Sequence, residues 1–195
     1  MFVADTGPLL CHGTLKNGAG RFLSAVGSLS HVTAVRTELE RHTRRQAPAD
    51  KHLREAAGSW TGQHIGRLGT LHDLSQSAAA IQQVKANLTA WDTNRGKPAR
   101  HDNANAGEAE AIVAAIELGA CLVANDNGAR DVARQQGVVK LWTTIDILIT
   151  EIDIGAATDN SAFHDYQRMT QRNTDPGEAL QGPLDFVRLR RRSTP

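Results

Sequence analysis

Aromatic side chains make up only 4% of this chain: one tyrosine, three tryptophans and four phenylalanines among 195 residues. So thin a supply argues against a broad base-stacking platform of the kind that grips single-stranded nucleic acid. Cysteine is scarcer still. Cys11 and Cys121 both sit in apolar stretches, no CxxC occurs, and the eight histidines are scattered. Zinc spacing is therefore absent, and two buried thiols in a reducing compartment are the simple reading. Charge of one sign is also lacking. The net charge of +1 means that any hold on phosphate must come from local patches. No hydrophobic run approaches the ~20 residues of a membrane-spanning helix. The opening MFVADTGPLL places an acid where a secretory leader would need apolar residues. A cytoplasmic protein without a membrane partner is expected.

What is present is ordinary for a globular chain: 40% hydrophobic and 22% charged residues, enough for a sizeable core. The length suits one domain with modest additions. Phe2–Ala4 is a short apolar run closing on Asp5, as a buried strand would read, and Thr6-Gly7-Pro8 then turns the chain into a helix. His31–Val32 reads as a second strand. Thr33 can cap a helix in which Val35 and Leu39 share a face. Between Lys51 and Trp91 the pattern suggests a helix, a short strand near His64–Leu68, and a longer helix within Gln76–Trp91. Asp92–Ala106 has the composition of a loop.

The clearest stretch follows. Asn105 with Glu108 resembles a capping box, Ala109, Ile112, Val113 and Ile116 form an apolar stripe, and Gly119 ends that helix. Cys121–Ala124 reads as a buried strand, Gly128–Gln136 as a helix, Val138–Trp142 as a strand, and Thr144 as the cap of a helix through Ile149. This alternation predicts an α/β protein: three layers, α/β/α, around a mostly parallel sheet. Residues 1–150 would form that domain, and residues 151–195 a helical extension with a basic, mobile tail at Leu189–Arg192.

In an open parallel sheet, functional groups gather beyond the carboxyl ends of the strands. Asp5 and Asp126 both fall there. Two bare carboxylates held close repel, and a divalent cation relieves the repulsion. Glu108, Glu38 and Asp131 are the further candidates, each also explicable alone as a helix-terminal or solvated acid. Glu110 competes with Glu108 for the same position. Asn125 and Thr6 are candidates to orient ligands or touch substrate. Arg41, Arg44, Arg45, Arg95, Lys97, Arg100 and Arg130 are the basic residues placed to hold a phosphate backbone, and the Arg188–Arg192 tail can contact RNA or a partner.

The order of these acids resembles a known family. VADTGPLL is similar to the opening strand and first acid of PIN domains, and TAVRTELE to the helix bearing their second acid, matched by Glu38. NAGEAEAIVAAIELGACLVANDNGARDVARQQGV resembles a stretch of bacterial PIN proteins in which Glu108 and Asp126 match the third and fourth site positions. The resemblance covers residues 1–150, with the middle poorly matched. It implies a PIN-like fold and a metal-dependent ribonuclease. Asp5, Glu108 and Asp126, with Asp131 beside them, would hold Mg2+ or Mn2+, and Glu38 would act directly or through water. The products would be a 5′-phosphate and a 3′-hydroxyl. It also implies RNA as partner, a VapC-like toxin silenced by a small antitoxin, and a homodimer. A haloacid-dehalogenase-like phosphatase is disfavoured because Gly7 stands where its second aspartate belongs. The non-enzymatic rival is an inactive PIN-fold module that binds RNA or a protein.

Overall fold

The structure is a computed structural model and describes residues 1–96, 105–172 and 174–193. Among them, five short strands form one sheet: β1 (Phe2–Ala4), β2 (Leu29–His31), β3 (Thr70–Leu71), β4 (Cys121–Val123) and β5 (Leu141–Trp142). Their order is β3-β2-β1-β4-β5, and all four pairings are parallel. Parallel neighbours cannot be joined by a tight hairpin, so each connection carries helices. α1 (Thr6–Gly13) and α2 (Gly18–Val26) lead to β2; α3 (Thr33–Thr43), α4 (Lys51–Gly58) and a 3₁₀ helix at Gly62–Leu68 lead to β3. α5 (Ala78–Asn94) and α6 (Ala106–Leu118) precede β4, and α7 (Asn127–Gln135) joins β4 to β5. α8 (Thr144–Asp153), α9 (Asp159–Gln171) and α10 (Leu184–Ser193) follow.

The expected α/β class with a parallel sheet is what the chain adopts. Helix contacts join α3, α5, α6 and α7 among themselves and α1, α2, α8 and α9 among themselves, with α4 packed on both α1 and α3. That grouping is compatible with helical layers on both sides of the sheet. The chain starts in the middle of the sheet, builds outward to β3, then returns to lay β4 on the other side of β1. The seam between β1 and β4 is therefore the point where strand order reverses, the usual place for a ligand crevice.

Several local expectations are corrected. His64–Leu68 lies in the 3₁₀ helix, and the strand follows it, because Gly69 at φ +71° turns the chain hard against the Leu29 carbonyl. The second strand begins earlier than expected, at Leu29. The first residues of the supposed Asp92–Ala106 loop complete α5, while Lys97 and Arg100 lie outside the described residues. Asn105 does not cap α6 with its side chain; it sits in the left-handed region at φ 63°. Thr33 is not the cap of α3 either: the Ala34 amide donates to Glu110 Oε2 at 2.8 Å, so α6 caps α3 from outside. Thr143, not Thr144, caps α8, in a capping box with Asp146.

The extension is built into the fold, and the tail is helical. Cys11 of α1 and Leu15 just after it share an apolar cluster with Ile145, Leu148 and Ile149 of α8, Ala162, Tyr166 and Met169 of α9, and Leu180 and Phe186. Burying side chains such as Met169 and Phe186 contributes about 1.5–3 kcal/mol each. Arg190 of α10 donates to Asp159 at 2.6 Å and to Asp153 at 3.5 Å, which pins the last helix to α8 and α9. Under this layer Glu151 is fully buried and paired with Arg21, which also reaches Asp165 at 2.6 Å.

His31, at the end of β2, is buried with Nδ1 3.1 Å from the Leu68 carbonyl, and its Nε2 finds no hydrogen-bond partner among the described residues. Burial holds its imidazole below the ordinary value of 6.5, against the pull of the Leu68 carbonyl. A base whose folded pKa is depressed gives stability above its unfolded pKa and loses it as pH falls through the folded one. The melting temperature should therefore drop between about pH 7 and pH 5, within the histidine range. His31→Gln should flatten that drop, as thermal melts across the range would show.

Candidate functional site

Register places the first two acids. Ala4 pairs with Val123, and the Asp5 amide donates to the Val123 carbonyl at 3.0 Å. Asp5 therefore leaves β1 level with the end of β4, and Asp126 lies three residues beyond Val123 at the same edge. Glu38 comes from α3 and Glu108 from the first turn of α6, two helices packed against each other. Gly107 is what allows that approach. A Cβ there would lie 3.3 Å from Glu38 Oε2 and 3.5 Å from Asp5 Oδ1, so those two oxygens are separated by no more than the two distances together.

Asp5, Glu38, Glu108 and Asp126 all line one cavity of about 340 Å³. Asp5 is only 7% exposed, and its Oδ1 has no hydrogen-bond partner among the described residues. Burial pushes the Asp5 carboxyl well above the ordinary range, as do the charges of Glu108 and Glu38; the amides of Thr6 and Gly7 pull the other way. A buried carboxylate crowded by two others is costly, and either a proton or a cation relieves the cost. Asp126 is exposed, and its Oδ1 accepts from the Ala129 amide at 3.0 Å, so one oxygen caps α7. Among the described residues no three His, Cys, Asp or Glu side chains are grouped as a finished metal shell. Magnesium keeps several of its waters and touches only one or two carboxylates directly, so acids ringing a roomy cavity fit such a hydrated ion.

The remaining expected residues divide. The Thr6 hydroxyl donates to Glu38 Oε2 at 2.9 Å, so Thr6 orients Glu38. Asn125 lines the cavity but spends its amide elsewhere: Nδ2 donates to Thr144 Oγ1 at 2.9 Å and to the Asp175 carbonyl at 2.6 Å, and Oδ1 accepts from the Thr144 amide at 2.9 Å. It clamps three segments together. Arg41 is exposed beside the rim, with Nη2 3.3 Å from Glu38 Oε1. Asp131 is corrected. It does not line the cavity; one oxygen accepts from the Trp91 indole at 3.2 Å and the other from Arg134 at 3.0 Å. The helix turns it away from Asp126, toward α5. Arg130 does not line the cavity either, and donates to Asn127 on its own helix. Glu110 is withdrawn from the competition by its capping bond to α3.

Sequence reasoning missed three contributors. His42 lines the cavity one turn after Glu38, with Nε2 3.9 Å from Glu38 Oε1; their i, i+4 spacing was a usable signal. Thr174 and Asp175 also line it, brought by a segment with no periodicity to announce it. No protein-family model, no curated protein and no solved structure matches this chain, so the family resemblance rests on its motifs alone.

Proposed function

We propose that this chain is a divalent-metal-dependent endoribonuclease of the bacterial PIN kind, with a PIN-like α/β/α fold over residues 1–150. The observation that supports the reading most is convergence. Four carboxylates spread from residue 5 to residue 126 meet at one cavity beyond the β1–β4 seam, and the most buried of them has an oxygen without a hydrogen-bond partner. When bound there, Mg2+ or Mn2+ lowers the pKa of a bound water and offsets charge on the phosphate.

The chain's own residues then have distinct tasks. Asp5, Glu108 and Asp126 hold the ion. Glu38, fixed by Thr6, stands close to Asp5 and can receive a proton from water. Leu10 and Leu53 line the same cavity and limit its water. Arg41 beside the rim, with Arg44 and Arg45 after it, offers positive charge to a backbone that the acids would otherwise repel. The test is incubation with total RNA, with and without Mn2+, followed by mapping of the cut ends. Metal-dependent cleavage leaving 5′-phosphates supports the proposal; no cleavage with saturating Mn2+ defeats it.

Gly107→Ala is a finer probe. The added methyl forces Glu38 Oε2, at 3.3 Å, to give by a few tenths of an ångström and meets Asp5 Oδ1 at an ordinary 3.5 Å, while alanine is preferred over glycine in a helix by up to about 1 kcal/mol. We expect a variant at least as stable as the parent, with slower cleavage and weaker Mn2+ binding. Melting curves and Mn2+ titration check both halves.

A further inference from the structure

We infer that Asp175, delivered by the segment between α9 and α10, is a further cation-holding carboxylate of this site and acts beside Asp126. The inference deepens the metal-dependent reading above and rests on it. Thr174 and Asp175 are a built wall of the cavity. After α9, Thr174 turns the chain: its amide and hydroxyl both donate to the Met169 carbonyl, at 3.2 Å and 2.7 Å. The Asp175 carbonyl then receives Asn125 Nδ2 at 2.6 Å and Cys11 Sγ at 3.4 Å. Pro176 is buried. Gly177 adopts φ +97° against Asn125, where a Cβ would already sit 3.4 Å from the Asn125 backbone. Three residues later the Leu180 amide donates to the Tyr166 hydroxyl at 3.0 Å, returning the chain to the buried cluster.

Asn125 is thus the common reference for two acids. It precedes Asp126 in the chain and holds the Asp175 backbone through its side chain, while its own amide is locked to Thr144. Both residues are exposed and line the cavity that Asp5 also lines. A cluster of acids alone says little. The independent sign of a ligand is Asp5, a residue that lines this cavity and whose buried Oδ1 is without a hydrogen-bond partner among the described residues. A fifth acid on the wall makes the metal-free cavity more repulsive and the cation-bound one better satisfied. The competing role is local: Asp175 Oδ1 accepts from the Gly177 amide at 2.8 Å, closing the turn. Asparagine retains that acceptor and loses only the charge, so Asp175→Asn separates the two roles.

The experiment is Mn2+ binding to the full chain, by calorimetry and by electron paramagnetic resonance of free Mn2+, for the parent and Asp175→Asn, with melting curves in chelator. We expect Asp175→Asn to melt with the parent in chelator and to bind Mn2+ roughly ten- to hundredfold more weakly, the span seen when groups supporting a metal site are lost. Binding equal to the parent's in affinity and stoichiometry overturns the assignment. So does a lowered melting point in chelator, which would reveal a turn-closing role. RNA cleavage is read on the same samples. Weakened binding by the variant, alongside a parent that binds Mn2+ but never cuts RNA, keeps Asp175 and removes the ribonuclease; unchanged binding by the variant, alongside a parent that does cut, removes only Asp175. A parent that binds no Mn2+ ends both.

Discussion

Replacing Asp5 with asparagine is expected to lower the rate of RNA cleavage about a thousandfold or more while raising the melting temperature of the metal-free protein. The first effect follows from charge. A bound cation supplies several kcal/mol of transition-state stabilisation, each ~1.36 kcal/mol is a factor of ten in rate, and Asp5 is the innermost carboxylate available to hold it. The second follows from linkage. The folded environment pushes the Asp5 carboxyl well above its ordinary 3.8, through burial first and then Glu108 and Glu38. An acid raised on folding contributes stability only below its unfolded pKa, and that contribution is lost as pH rises through the folded pKa. Above the unfolded pKa and without metal, folding must either bury the Asp5 charge or take up a proton, and asparagine removes that cost. Metal reverses the order. Saturating Mn2+ at a hundred times its dissociation constant stabilises the parent by about 2.7 kcal/mol, at about 2–4 °C per kcal/mol for a chain of this size, and the variant should lose most of that rise. Activity and metal-free stability thus move in opposite directions, which a misfolded variant cannot reproduce. Parental cleavage by Asp5→Asn would sink the site assignment.

Arg21→Met is expected to cost about 3–5 kcal/mol, the usual penalty for removing one partner of a buried ion pair, or about ten degrees of melting temperature. Glu151 is 0% exposed; besides Arg21, its neighbour is His12 Nε2 at 3.5 Å. Without Arg21 a carboxylate is left in the interior between α1, α2 and α8. Arg21 also bridges to Asp165 of α9, so the substitution loosens the extension as well. Glu151→Gln made in the Arg21→Met background should recover much of the loss by removing the stranded charge. The four melting curves of that cycle give the coupling directly. Equal melting points for the parent and Arg21→Met would show that solvent reaches Glu151 freely.

Patterns carried by the backbone were readable in advance; contacts made by side chains across the fold were not. Asp5 and Asp126 could be placed because the first directly follows, and the second lies just past, an apolar run that reads as a buried strand, and register does the rest. Glu38 and Glu108 depended on motif order, since an acid on a helix has an ordinary surface explanation. Asp131 misled because spacing within α7 cannot reveal that Trp91, forty residues earlier, takes its carboxylate. Glu110 and Glu108 could not be separated until α3 was seen to need a cap from α6. Asp175 carried no signal: it lies in a turn between helices, and its place at the cavity is set by Asn125, fifty residues away. The strands escaped exact delimitation because two or three residues are too few to show a period.

The pairing of β1 with β4 also sets a timetable for synthesis. Ala4 cannot find Val123 until most of the chain has left the ribosome, and the wall at Thr174–Asp175 emerges later still. Contacts so distant in sequence form late, after the closure entropy of the long intervening loop has been met. A site organised this way has its first acid at residue 5, yet its acids can meet only after the segments bearing residues 126 and 175 have been made.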